Sequence, residues 1–98
     1  MILETAVLHV IPGQDDEFIE NFKAASKIIA SMRGYLGHEL QKCLEREHQY
    51  LLLVRWERLE DHTIGFRQSE PYREWKRLLH RFYDPFPVVE HYENIDIE

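Results

Sequence analysis

Tyr50-Leu51-Leu52-Leu53-Val54-Arg55-Trp56 is a stretch of strand-forming residues in which only Arg55 is charged. A strand with one solvated face alternates apolar and polar side chains, because successive side chains point to opposite faces. This one is apolar on both. Whatever sheet it joins must be covered on both sides, and that requirement narrows the folds open to the chain.

The rest of the sequence supplies cover for one side only. Residues 2–11, ILETAVLHVI, are a second β-rich run, broken by Glu4, Thr5 and His9 and ended by Pro12-Gly13. Asp15, Asp16 and Glu17 follow, suited to the positive end of a helix dipole. Phe18, Phe22, Ala25, Ile29 and Met32 then recur at spacings of 4, 3, 4 and 3, a helical stripe. Arg33-Gly34 suits its end, with glycine in the left-handed position past the last turn. Residues 35–44 predict a strand carrying Leu36, His38, Leu40, Lys42 and Leu44 on one face, and residues 45–48 a polar hairpin loop. Leu59, His62 and Phe66 predict a short helix opened by Glu60 and Asp61. Ser69 can cap a following helix with Pro71 in its first turn and Tyr72, Trp75, Leu78, Leu79 and Phe82 along its apolar side. Asp84-Pro85-Phe86-Pro87 reads as a rigid connector and Val88 to Ile95 as a last strand.

The order is β-α-β-β-α-β, an α+β, ferredoxin-like arrangement with a four-stranded antiparallel sheet and helices on one face. Its 98 residues suit a single domain spanning 1–98. Two helices leave the second face of the sheet bare, so a homodimer paired through that face is expected.

Charge and motifs remove several function classes. Twelve Lys and Arg against eighteen Asp and Glu give a net charge of −6, the wrong sign for a nucleic-acid partner. No apolar run approaches the roughly 18 residues that span a bilayer. The opening MILETAVLHV has no basic segment of the kind that starts a signal peptide. A cytoplasmic protein without a membrane partner is expected. Cys43 is the only cysteine, and there is no glycine-rich phosphate loop or G-x-S-x-G elbow. Flavin, nucleotide, serine-hydrolase and thiol-redox chemistries therefore lack a sequence basis. None of the six histidines shows an H-E-x-x-H spacing, and His9, His62 and His91 could converge only through the fold. No metal and no cofactor is expected.

His62 is the titratable residue of most interest, because it shares an apolar stripe with Leu59 and Phe66. An imidazole there could act as a general base, or it could be a hydrogen-bonded core or interface histidine. The stretch His80-Arg81-Phe82-Tyr83-Asp84-Pro85-Phe86 mixes aromatic and polar groups, as a pocket for a flat apolar ligand would, and as a packed terminal segment also would. Arg73, Lys76, Arg77 and Arg81 form a basic band that Glu70 and Glu74 can neutralise on a solvated helix face. On the last strand Glu90 shares a face with Tyr92 and not with Glu93, which disfavours a paired-carboxylate mechanism.

The opening strand closed by Pro12-Gly13, the segment Ser31-Met32-Arg33-Gly34-Tyr35, Leu53-Val54-Arg55-Trp56-Glu57, Ser69-Glu70-Pro71-Tyr72 and Val89-Glu90-His91-Tyr92-Glu93 together resemble the antibiotic biosynthesis monooxygenase family. The resemblance implies a dimeric α+β barrel. One branch of that family implies a cofactor-independent monooxygenase acting on a small aromatic, quinol or polycyclic phenol substrate. There the substrate itself reduces O₂, and the protein provides a pocket and a base. On that reading His62 is the proton acceptor, Tyr83 or His91 donates to the developing oxyanion, and Phe66, Tyr72, Trp75 and Phe82 form the pocket wall. A second branch degrades haem with an Asn, a Trp and a His, at positions that read Ala6, Phe66 and Lys76 here, with His80 one turn beyond. A dimer that binds a small ligand without catalysis is the remaining alternative.

Overall fold

The computed structural model describes residues 1–98. The chain runs β1 (Ile2–His9), α1 (Asp15–Ala30), β2 (Tyr35–Lys42), β3 (Gln49–Trp56), a π-helical segment (Asp61–Phe66), α2 (Glu70–Leu79), a 3₁₀ turn (His80–Phe82) and β4 (Val89–Glu93). The strands form one antiparallel sheet in the order β2-β3-β1-β4, the ferredoxin-like topology that the element order predicts.

The pleat sorts the sheet into two faces. Glu4, Ala6 and Leu8 of β1 and Tyr50, Leu52, Val54 and Trp56 of β3 are buried, with Ala6 opposite Leu52 and Glu4 opposite Val54. On the other side of β1, Val89 pairs with Ala6 and His91 with Glu4. Onto this face pack Phe18, Phe22, Ala25 and Ile29 of α1 and Trp75 and Leu79 of α2. Burying each large side chain of this set stabilises the fold by roughly 1.5–3 kcal/mol. The Asn21 side-chain amide donates to the Leu78 carbonyl at 2.9 Å and holds the helices in register. The start of α1 is fixed from the sheet side, where Tyr50 Oη donates to Asp15 at 2.7 Å and His48 Nδ1 lies 2.8 Å from the same carboxylate. The opposite sheet face carries Leu3, Val7, Leu51, Leu53 and Tyr92, of which Val7 and Tyr92 are 41% and 53% exposed.

Several local features differ from the sequence expectation, each for a physical reason. The first strand ends at His9, and Val10 makes only an isolated bridge to Tyr83. The α1 cap is Ser31, so Gly34 takes its positive φ of 83° later, in the turn into β2. The segment after β3 widens into a π-helix, with the Arg67 N–H donating to the His62 carbonyl five residues back. That wider turn swings Leu59 outward, 40% exposed, while His62 and Phe66 stay buried. The last helix stops at Leu79 and tightens into the 3₁₀ turn before Phe82, and β4 is shorter than the run Val88 to Ile95. The basic band is solvated as expected, with Arg73, Arg77 and Arg81 paired to Glu70, Glu74 and Glu17.

Gly34 is held by space as well as by conformation. A Cβ built there would sit 2.1 Å from Asp61 Oδ2, and Asp61 opens the π-helical segment. Gly34→Ala is expected to lower the unfolding free energy by roughly 2–4 kcal/mol, combining left-handed strain with a steric clash. Urea unfolding of the two proteins, with an unchanged slope, would check this.

Candidate active site

Between the helix-facing side of the sheet and α2 lies a cavity of about 230 Å³. Glu4, Ala6 and Leu8 of β1 and Leu52 of β3 form its floor. His62 and Phe66 of the π-helical segment, with Arg67, form one side, and Tyr72 and Trp75 of α2 form the roof. His80, Tyr83, Phe86, Pro87 and Val89 close the far end. Phe66 is central, meeting Tyr72 and Trp75 edge to face at centroid distances of 5.1 and 5.5 Å.

A buried polar chain enters this aromatic setting. The Trp56 indole N–H donates to Glu4 Oε1 at 2.9 Å. His62 Nε2 lies 3.3 Å from the same oxygen, and His62 Nδ1 lies 2.7 Å from His91 Nε2. The His62 ring is stacked on Trp56, with centroids 5.5 Å apart and planes 17° from parallel. Glu4 and His62 are only 5% and 3% exposed, so either charge would be expensive there.

Electrostatics follow from that burial. Desolvation raises the Glu4 carboxyl to about 7, against a smaller opposing effect of the Trp56 hydrogen bond and the Arg67 charge. Desolvation also pulls His62 down to about 3, assisted by Arg67 and His91. Despite its short reach, the Glu4–His62 contact is therefore not an ion pair near neutral pH: the imidazole is neutral, and the carboxyl carries the proton equilibrium. Burial lowers His91 and His80 as well, and it raises the Tyr83 phenol, which stays a hydrogen-bond donor.

The residues singled out in the sequence fall into three groups. His62, Phe66, Tyr72, Trp75 and Tyr83 all line the cavity. His91 stands behind His62 and touches the cavity only through it. Phe82 does not reach the cavity; it is fully buried on the other side of the 3₁₀ turn, with its ring 5.8 Å from Phe18. His9 pairs with Gln49 on the odd-numbered side of β1, away from Glu4, so the three histidines considered together do not converge. Of the haem-branch positions, Ala6 and Phe66 line the cavity together with His80, whereas Lys76 lies outside, its ammonium 6.0 Å from the Tyr72 ring centre.

Glu4 and Arg67 are the site residues that the sequence reading passed over. The signal for Glu4 was present: it is the one acid in an apolar strand, in phase with Ala6, Leu8 and Val10. Arg67 left no such trace, because a lone arginine after an apolar stripe looks solvated.

The raised Glu4 acidity has a stability consequence with a definite sign. Below about pH 4.5 the carboxyl is neutral in both folded and unfolded chains and has no effect. Between 4.5 and about 7 the unfolded chain ionises first, so stability falls as pH rises, levelling off above 7 at a loss of roughly 3 kcal/mol. Glu4→Gln removes this loss. Its stability relative to wild type should therefore grow across that window and then stay constant, as read by urea unfolding at a series of pH values.

The sequence model for "Antibiotic biosynthesis monooxygenase" matches residues 1–78. The uncharacterised Bacillus subtilis (strain 168) protein YczJ is 56% identical over 95 residues, covering 97% of this chain and 100% of the relative. A crystal structure from Bordetella bronchiseptica, classed as an antibiotic biosynthesis monooxygenase, superposes with a TM-score of 0.91 at 31% identity, over 96% of both chains. SnoaB, a cofactor-independent oxygenase from Streptomyces nogalater, shares the fold with a TM-score of 0.81 at 14% identity, over 98% of this chain and 94% of its own. With its fold, its sequence match over most of its length and its aromatic cavity in agreement, the chain belongs to the antibiotic biosynthesis monooxygenase family.

Proposed function

We propose that the chain is a cofactor-independent monooxygenase that oxidises a small phenol or quinol in this cavity. The observation that carries this reading is Glu4, a carboxyl buried in an aromatic pocket and brought to ionise near pH 7. A base matched to ambient pH is the group such chemistry requires. The Nδ1 of His62 is engaged by His91 and the ring's basicity is low, so the proton-acceptor role expected for His62 passes to Glu4. Glu4 takes a proton from the substrate, and the resulting anion is electron-rich enough to reduce O₂. One oxygen atom enters the product and the other leaves as water, with all four electrons supplied by the substrate. Arg67 and the Tyr83 hydroxyl, which makes no hydrogen bond within the chain, are placed to stabilise the anion.

Cavity size bounds the substrate. A void of about 150 Å³ holds benzene. At about 230 Å³ the cavity suits one substituted ring or a compact pair of fused rings. SnoaB's description as a cofactor-independent oxygenase agrees with the absence of a flavin or nucleotide motif here.

The reading includes a homodimer in the cytoplasm. Leu3, Val7, Leu51, Leu53 and Tyr92 make the bare sheet face apolar enough to pair with a second copy. Light scattering should give twice the 11.9 kDa of one chain, and Leu53→Glu, which places a charge at the centre of that face, should give one.

The activity test is oxygen uptake with a reduced naphthoquinol, corrected for spontaneous oxidation by buffer and heat-denatured protein. A saturable excess is expected, rising with pH through about 7 as Glu4 ionises. Glu4→Gln should reduce it by roughly 10²–10⁴-fold. Saturable quinol binding without uptake would assign a non-catalytic binding dimer instead. A Soret shift with hemin and no quinol oxidation would favour a haem protein.

A further inference from the structure

Glu4, His62 and His91 stand in one line, each contributed by a different element: β1, the π-helical segment and β4. His62 Nδ1 is hydrogen-bonded to His91 Nε2, and His62 Nε2 lies 3.3 Å from Glu4 Oε1, close but not aligned as a hydrogen bond. The two inner members are nearly inaccessible, while His91 is only half-buried. His91 Nδ1 has no hydrogen-bond partner in the chain, and no unpartnered side-chain nitrogen or oxygen is fully buried, so this nitrogen reaches solvent. The line therefore begins at the cavity wall and ends at water.

We propose that Glu4 exchanges its proton with solvent through His62 and His91, by a linked change of ring tautomer in both histidines, and not through the substrate cavity. The proton count closes. With Glu4 protonated on Oε1, a small rotation of its carboxyl brings the O–H into line with His62 Nε2, His62 carries its proton on Nδ1 and donates to His91 Nε2, and His91 carries its proton on Nδ1. To lose a proton, Glu4 passes one to His62 Nε2, His62 passes one from Nδ1 to His91 Nε2, and His91 releases one from Nδ1 to water. Glu4 ends as a carboxylate accepting from His62 Nε2–H and Trp56 N–H, and both imidazoles are neutral in each end state. Run backwards, the same steps deliver one proton inward.

Groups facing Glu4 from the packed elements are consistent with neutral rings at both ends of the exchange. Trp56 of β3 donates to the carboxylate, and Arg67 opposes a positive charge on either histidine. Tyr72 of α2 is the other titratable neighbour, and burial keeps its phenol protonated. In catalysis, which rests on the function proposed above, the route would let Glu4 change protonation state while a ligand fills the cavity.

The test needs no substrate. In ¹⁵N-labelled wild-type protein, the ring nitrogens of His62 and His91 are followed by long-range ¹H–¹⁵N correlation, and the Glu4 side-chain carboxyl by ¹³C shift, across the pH range around 7. The expected result is that His62 Nδ1 and Nε2 exchange bare and protonated shifts, that His91 does the same, and that both share the Glu4 midpoint. In Glu4→Gln the rings should keep one tautomer throughout. Rings that hold a single tautomer while Glu4 titrates in the wild type would overturn the relay, since the proton would then reside on the other carboxyl oxygen. Independent midpoints, or a positive charge appearing on either ring, would overturn it equally. A linked switch without oxygen uptake would leave the relay standing and remove the oxygenase reading; uptake without the switch would do the reverse.

Discussion

A carboxyl group buried beneath two helices organises this molecule. Glu4 lies in the central strand, flanked by β3 and β4, and its burial is tolerable only because Trp56 donates to it and His62 faces it. Each partner is then constrained in turn. Trp56 must end β3 with its indole turned towards β1, and His62 must stack on that indole while giving its second nitrogen to His91. The widened π-helical turn that places His62 and Phe66 inward is part of the same arrangement. Asp61, at its start, packs against the glycine that opens β2.

The same burial that costs the fold stability shifts the acidity of Glu4. Water would hold a glutamate ionised far below neutrality, whereas this setting moves its proton equilibrium to the pH at which a base and its conjugate acid are both accessible. The aromatic wall excludes water from the carboxyl, and its flat surfaces are of the kind that suits a ring-shaped ligand. Among the remaining polar groups around the cavity, Tyr72, His80, Arg67 and Tyr83, the last two are suited to facing an anion.

Much of the fold was legible because it rests on periodicity. The stripe from Phe18 to Ile29 specified α1, and the two-sided apolar run at residues 50–56 located an inner strand with a bare second face. The site was only half legible. Phe66, Tyr72 and Trp75 announced themselves through helical spacing, but Phe82 lies on the same stripe and ends in the core, since the helix tightens before it arrives. Spacing along one element says which side a residue faces, not which neighbour it meets. Convergence of Glu4, His62 and His91 depends on strand order and on a π-turn, and neither leaves a local signature. An acid in an apolar strand was the one available hint, and it gains meaning only when the pairing with Trp56's strand is known.

The cavity's walls differ in how firmly they are held. Most of its floor belongs to β1, paired along eight positions with β3 and along five with β4, so Glu4 sits on a firmly restrained part of the chain. Its far end is the connector from Tyr83 to Val88, tied to the end of β1 by the Val10–Tyr83 bridge and the Asp84 N–H to His9 carbonyl bond, and beyond these Phe86 and Val88 are 60% and 76% exposed. Native chains open first where few buried contacts hold them. Opening of the exposed part of this strap would leave the sheet intact, so access to the cavity floor is separable from the acidity of the group below it.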